Sequence, residues 1–165
     1  MTADVSQLLA ILDQAFNRPS WHGTNLRGSV RRVSARQAAW RPGAKRHNIW
    51  EIVVHAAYWK YAASRRFTGG SRGSFPLKGS NWFVRPVTAA RATEEMWRED
   101  VALLDRMHET LRDAVMHLSS TDLNKTPPGT KVSNFTLLSG AAAHDLYHAG
   151  QIQLLKRLMT PGRRN

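Results

Sequence analysis

GAAAHDLYHAGQIQLLKRL, residues 140–158, is the stretch on which the reading of this chain turns. At about 3.6 residues per turn, Leu137, Ala141, His144, His148, Ile152, Leu155 and Met159 fall on one stripe. A stripe of this length predicts a long amphipathic helix that starts near Asn134 or Thr136 and ends before Pro161-Gly162. Two histidines take the place of core residues in that stripe. A buried imidazole without a partner is costly, so each must meet a donor, an acceptor or a metal. Two histidines one helical turn apart can share a cation, as HExxH sites do. Here Asp145 follows His144 and no Glu comes next, so the zinc-protease pattern is absent.

Working outward, three more long helices are expected. The first spans about Val5 to Asn17, with Leu8, Ile11, Leu12, Ala15 and Phe16 as its apolar positions and Pro19 beyond its end. The second begins at Asn48, whose side chain suits a cap, with Glu51 three residues on as a variant capping box. Its apolar face is Ile49, Ile52, Val53, Ala56, Trp59 and Ala63, and Gly69-Gly70 stops it. The third runs from about Thr93 to Leu118, with a stripe from Met96 and Trp97 to Val115 that includes His108. It holds seven acids, and Glu94 and Glu95 suit its N-terminal dipole.

A short basic helix is expected at about Asn25 to Val33, and AAWRPGAKRH, TGGSRGSFPLKGSNWFVRP and TDLNKTPPGTKVSN read as loops. Strand-like alternation and internal repeats are absent from the sequence. The expected fold is therefore all-α, a four-helix bundle with a long crossover connection, built as one domain over residues 1–165.

A metal needs a third ligand, and the second helix offers His55, which interrupts an apolar face in IWEIVVHAAYW. Sites in bundles are built from facing helices. Three neutral imidazoles would leave coordination positions for water or substrate, the pattern of a catalytic site, and nitrogen ligands suit zinc, nickel or iron(II). The residues alone leave a second reading open, in which all three histidines are satisfied core groups.

Composition narrows the function classes. The chain has no cysteine, which excludes disulfides, thiolate ligands and a cysteine nucleophile. MTADVSQLLAILDQAF lacks a basic n-region, and no apolar run approaches the length of a membrane span, so a soluble cytoplasmic protein without membrane contact is expected. The chain carries 24 Lys and Arg against 12 Asp and Glu. From residue 14 to residue 93 the sole acid is Glu51, against 15 basic residues. That asymmetry suits an anionic small-molecule substrate, nucleic acid or an acidic partner surface, or else a solvated Arg-rich surface, the reading favoured by the absence of any nucleic-acid motif. No P-loop, dinucleotide fingerprint or Ser-His-acid arrangement is present.

HNIWEIVVHAAYW and HDLYHAGQIQLLKRL, with WHGTNLRG and the AAWRP segment, resemble the DinB-like (YfiT-type) superfamily of bacterial four-helix-bundle metalloproteins. The resemblance covers most of the chain. It implies that His55, His144 and His148 bind a divalent metal, with zinc the leading candidate and nickel or iron the alternatives. It also implies one of two chemistries: thiol-dependent S-transfer or isomerisation with a low-molecular-weight thiol, or metal-dependent hydrolysis. The alternative is a non-catalytic stress or DNA-damage-related binding protein that uses its basic surface. A homodimer is expected.

Around the three ligands, Asp145 and Glu51 are the carboxylates within sequence reach of an imidazole N–H, and Gln151 lies one turn beyond His148. His47 precedes the helix cap and suits a helix terminus or the mouth of the site. His22 is expected to pack or cap beside Trp21, His108 to lie in the core, His117 on the surface, and Tyr147 to pack. Gly140 and Gly150 suggest close helix approach. Arg72, Lys78 and Arg85 are the candidates to meet an anionic substrate.

Overall fold

The computed structural model describes residues 2–88 and 91–159, and among them the only regular structure is helical. Seven helices follow one another: α1 (Ala3–Phe16), α2 (Leu26–Ser29), α3 (Ala35–Ala39), α4 (Ile49–Thr68), α5 (Glu94–Met116), α6 (Ser120–Leu123) and α7 (Asn134–Met159). The four long ones form the bundle. Around its axis α1 touches α5 and α7, and α4 touches the same two, so α1 and α4 lie on one diagonal and α5 and α7 on the other. The expected crossover between α5 and α7 spans its diagonal, and residues 17–48 span the second one. Pro161-Gly162, the expected stop of α7, lies outside the described residues.

Local chemistry sets the helix ends. The Asn48 carboxamide accepts the Glu51 N–H at 2.8 Å, and Gly69 ends α4 in the left-handed region at φ 69°. Thr93 caps α5 by accepting from the Met96 N–H. The reciprocal half of the expected capping box at α4 does not form, because the Glu51 carboxylate is taken by Arg41, by His47 and by the Arg85 N–H. The expected basic helix at 25–33 is shorter. It is α2 capped by Asn25, followed by α3, which a Ser34–Gln37 capping box starts.

Burial rotates two expected faces. In α1 the buried stripe is Val5, Leu9, Leu12 and Phe16, while Ile11 is exposed. In α7 the buried seam includes Leu138, Ala142, Asp145 and Ala149, one position on from Leu137, Ala141, His144 and His148, while His148, Ile152 and Leu155 of the expected stripe are buried as expected. His148 is buried at the edge of this seam and His144 is half-buried. The histidines therefore flank the core and face α4, which is covered on three sides by α3, α5 and α7. Asp145 can occupy the seam because it meets Lys60 of α4 at 2.5 Å, both side chains being at most 2 % exposed.

Candidate metal centre

α4 and α7 bring His55, His144 and His148 together, as the sequence led us to expect. The Nε2 atom of His144 lies 3.1 Å from that of His55 and 3.0 Å from that of His148. One ligand nitrogen from each ring lies within 4.8 Å of those of the other two. Nitrogens held about 2.0–2.1 Å from one ion are themselves about 3 Å apart at bond angles near 90° and somewhat more at tetrahedral angles. The donor set thus fits a divalent ion.

Hydrogen bonds at the far side of two rings fix which nitrogen carries the lone pair. His55 Nδ1–H donates to the Asn81 carbonyl at 2.8 Å, and His148 Nδ1–H donates to Gln151 Oε1 at 2.7 Å. Both Nε2 atoms are then bare acceptors aimed at His144. A single Nε2–H on His144 can serve one of them and leaves the other unsatisfied. Mutual hydrogen bonding therefore cannot complete the trio, whereas a cation would accept all three lone pairs.

Burial holds the rings in the ligand form. It pushes His144 down to about 3, helped by repulsion from His148 and His55, and His148 down to about 4 against the opposing pull of Gln151. Burial also lowers His55, partly offset by the Asn81 carbonyl. All three are neutral at pH 7, as a metal ligand requires.

An aromatic stack closes one side. The Trp82 indole lies 3.8 Å from the His55 ring on one face and 3.6 Å from His47 on the other, each nearly parallel. His47 is held in turn by Glu51 Oε2 at 3.0 Å, and Glu51 by Arg41. The loop reaches the site a second time through Asn81, whose side chain accepts the Trp59 indole N–H at 2.9 Å.

The neighbours differ from expectation in several places. Neither Asp145 nor Glu51 accepts from a histidine of the cluster. Asp145 pairs with Lys60 and Glu51 with Arg41 and His47, because each buried carboxylate requires a cationic or N–H partner of its own. The roles fall to a backbone carbonyl and to Gln151. His108 is fully buried, stacked at 3.8 Å on Phe16 and 3.3 Å from Asp13, in the core as expected. His117 is exposed, as expected. His22 and Trp21 are both exposed, so the expected packing there is not formed. Tyr147 is exposed too and touches the site only through an edge contact to His148. A Cβ at Gly140 or Gly150 would meet nothing within 4 Å, so neither serves close helix approach. Arg85 is bound to Asp100 at 2.8 Å, which removes it as a substrate contact, while Arg72 and Lys78 line an open cavity.

The sequence model of the DinB superfamily matches residues 20–152, a span that contains all three histidines, Asn81, Trp82 and Gln151. The chain belongs to the DinB superfamily. Superfamily membership and the largely buried three-histidine cluster fit a metal-binding site between α4 and α7. No curated protein and no solved structure matches the chain significantly. Asn81 and Trp82 are the site residues that sequence reasoning missed. A backbone acceptor leaves no side-chain signature, and a Trp in a Gly-rich loop reads as ordinary hydrophobic ballast. No helix among the described residues is long and apolar enough to cross a membrane.

Proposed function

We propose that this chain is a metal-dependent enzyme of small-molecule chemistry, with one divalent ion held by His55, His144 and His148. The observation that carries the proposal is the unsatisfied lone pair. Two Nε2 acceptors converge on a third imidazole that has at most one proton to give. Three protein nitrogens leave coordination positions open, the arrangement of catalytic rather than structural sites. An ion there would supply Lewis acidity and lower the pKa of a thiol or water that reaches it. Zinc suits the donor set best, with nickel and iron(II) as alternatives.

The chain's own groups support transfer or hydrolysis in defined ways. The Asn81 carbonyl and Gln151 hold two imidazoles in the tautomer that presents Nε2. Trp82 shields one face of His55 from water. The half-buried His144 borders a narrow, largely apolar cavity of about 170 Å³ between α4 and α7, through which a substrate can approach. Either a low-molecular-weight thiol or water can serve as the activated nucleophile in this arrangement. The protein acts in the cytoplasm, where such thiols are reduced.

Elemental analysis of tag-free protein beside its His55→Ala and His148→Ala variants tests the proposal. Wild type should carry about one zinc, nickel or iron per chain, and both variants should lose it while keeping their helical circular dichroism. Stoichiometric metal retained in either variant would refute the ligand assignment. A wild type that takes up no metal even after loading would refute the enzyme reading.

A further inference from the structure

The last turns of α4 and the loop that follows enclose a second cavity, of about 670 Å³, within the size range of small-molecule sites. Trp59 and Arg66 line both this cavity and the narrower one that reaches His144. Its walls carry four cations, Arg65 and Arg66 from α4 and Arg72 and Lys78 from the loop, and no carboxylate. The negative pole at the end of α4 accounts in part for Arg65 and Arg66, and Arg65 also donates to the Gly70 carbonyl. No such account covers Arg72 and Lys78, which make no ion pair or hydrogen bond among the described residues. Arg66 Nε is buried and has no hydrogen-bond partner among them either. Rings supply the rest of the lining. Phe75 lies 5.4 Å from both Tyr58 and Tyr61, centroid to centroid.

Four like charges around one concavity repel one another unless a counter-charge enters. We propose that this cavity binds the organic substrate or co-substrate, a polyanionic small molecule with a flat apolar part. Its charged end lies among Arg66, Arg72 and Lys78, and its flat part lies against Tyr58 and Phe75. The link to catalysis rests on the metal-dependent reading above; the binding does not.

The probe is 1-naphthyl phosphate, with inorganic phosphate and 1-naphthol as its two halves, titrated by calorimetry into the full-length metal-loaded protein. The naphthyl phosphate should bind saturably, and about tenfold or more tighter than either half. The Arg72→Ala/Lys78→Ala variant should weaken it about tenfold or more. The Arg31→Ala/Arg36→Ala variant, which removes the same charge from an exposed surface elsewhere, should leave it unchanged. Absence of saturable binding would overturn the proposal. So would equal losses in the two double variants, which would reveal only a bulk field, or equal affinity for one of the halves. The probe should still bind the His148→Ala variant. Probe bound by a wild type that takes up no metal on loading would sink the metal reading alone, and metal uptake without probe binding would sink this one alone.

Discussion

At the scale of residues, the site is held by groups that are not ligands. Gln151 fixes the tautomer of His148 through a 2.7 Å hydrogen bond. Gln151→Ala should weaken metal affinity by about 10- to 100-fold with the fold intact, read by competition with a chromophoric chelator; unchanged affinity would show that α7 alone orients the ring. Asp145 plays a different part. It is buried in the ion pair with Lys60, and Lys60 Nζ also lies 4.7 Å from the centroid of the Phe16 ring. Asp145→Asn should leave the ammonium buried without its counter-charge and cost about 3–5 kcal/mol in urea unfolding. Asp145→Leu with Lys60→Met should recover most of that loss. The three clustered histidines were legible in the sequence because an imidazole in an apolar stripe demands a partner. Asp145 was not, because a one-residue rotation of α7 turns an apparent flank position into the seam, and periodicity does not resolve a rotation of that size.

At the scale of elements, caps were the readable features. Asn48 and Gly69 act at the helix ends where their chemistry placed them, and Thr93, read as the start of the third helix, is its cap. The Ser34–Gln37 box of α3 was equally visible, but a five-residue helix has too few positions to display a period. The α1 stripe was read with Ile11 inside because leucine and isoleucine occupy two adjacent faces, and the choice between them is made by α5 and α7. The helical glycines were misjudged for a related reason. Close approach depends on what stands opposite, and opposite Gly150 there is nothing within 4 Å. Gly150→Ala should therefore stabilise α7 by roughly 0.5–1 kcal/mol, visible as a higher urea midpoint with unchanged metal content. A loss of stability would mean that Gly150 packs against a surface outside this chain.

At the scale of the whole molecule, acid sensitivity follows from His108. Burial, with Lys60 and Arg112 nearby, pushes it down to about 2 from an ordinary 6.5. Between those values the unfolded chain binds a proton that the folded chain refuses. Stability is therefore complete above about pH 6.5 and falls as the pH drops below it. The ligand histidines of the metal-free protein act with the same sign, so the comparison needs a matched variant. His108→Gln should show a flatter decline of the urea midpoint between about pH 6.5 and pH 4 than wild type; parallel curves would contradict the assignment. The all-helical bundle was readable from four stripes and their loops. The diagonal placement of α1 and α4 was not, since helix order around an axis is set by which faces fit. Glu51 carries a consequence at this same scale. The only carboxylate between residues 14 and 93 is buried under Arg41 and His47. The solvent-facing surface of that segment thus displays no acid at all. That segment has no exposed carboxylate of its own to neutralise on acidification. The attraction of that segment for anions therefore does not rest on the ionisation of any exposed carboxylate of its own. Ionic strength, through screening, tunes it.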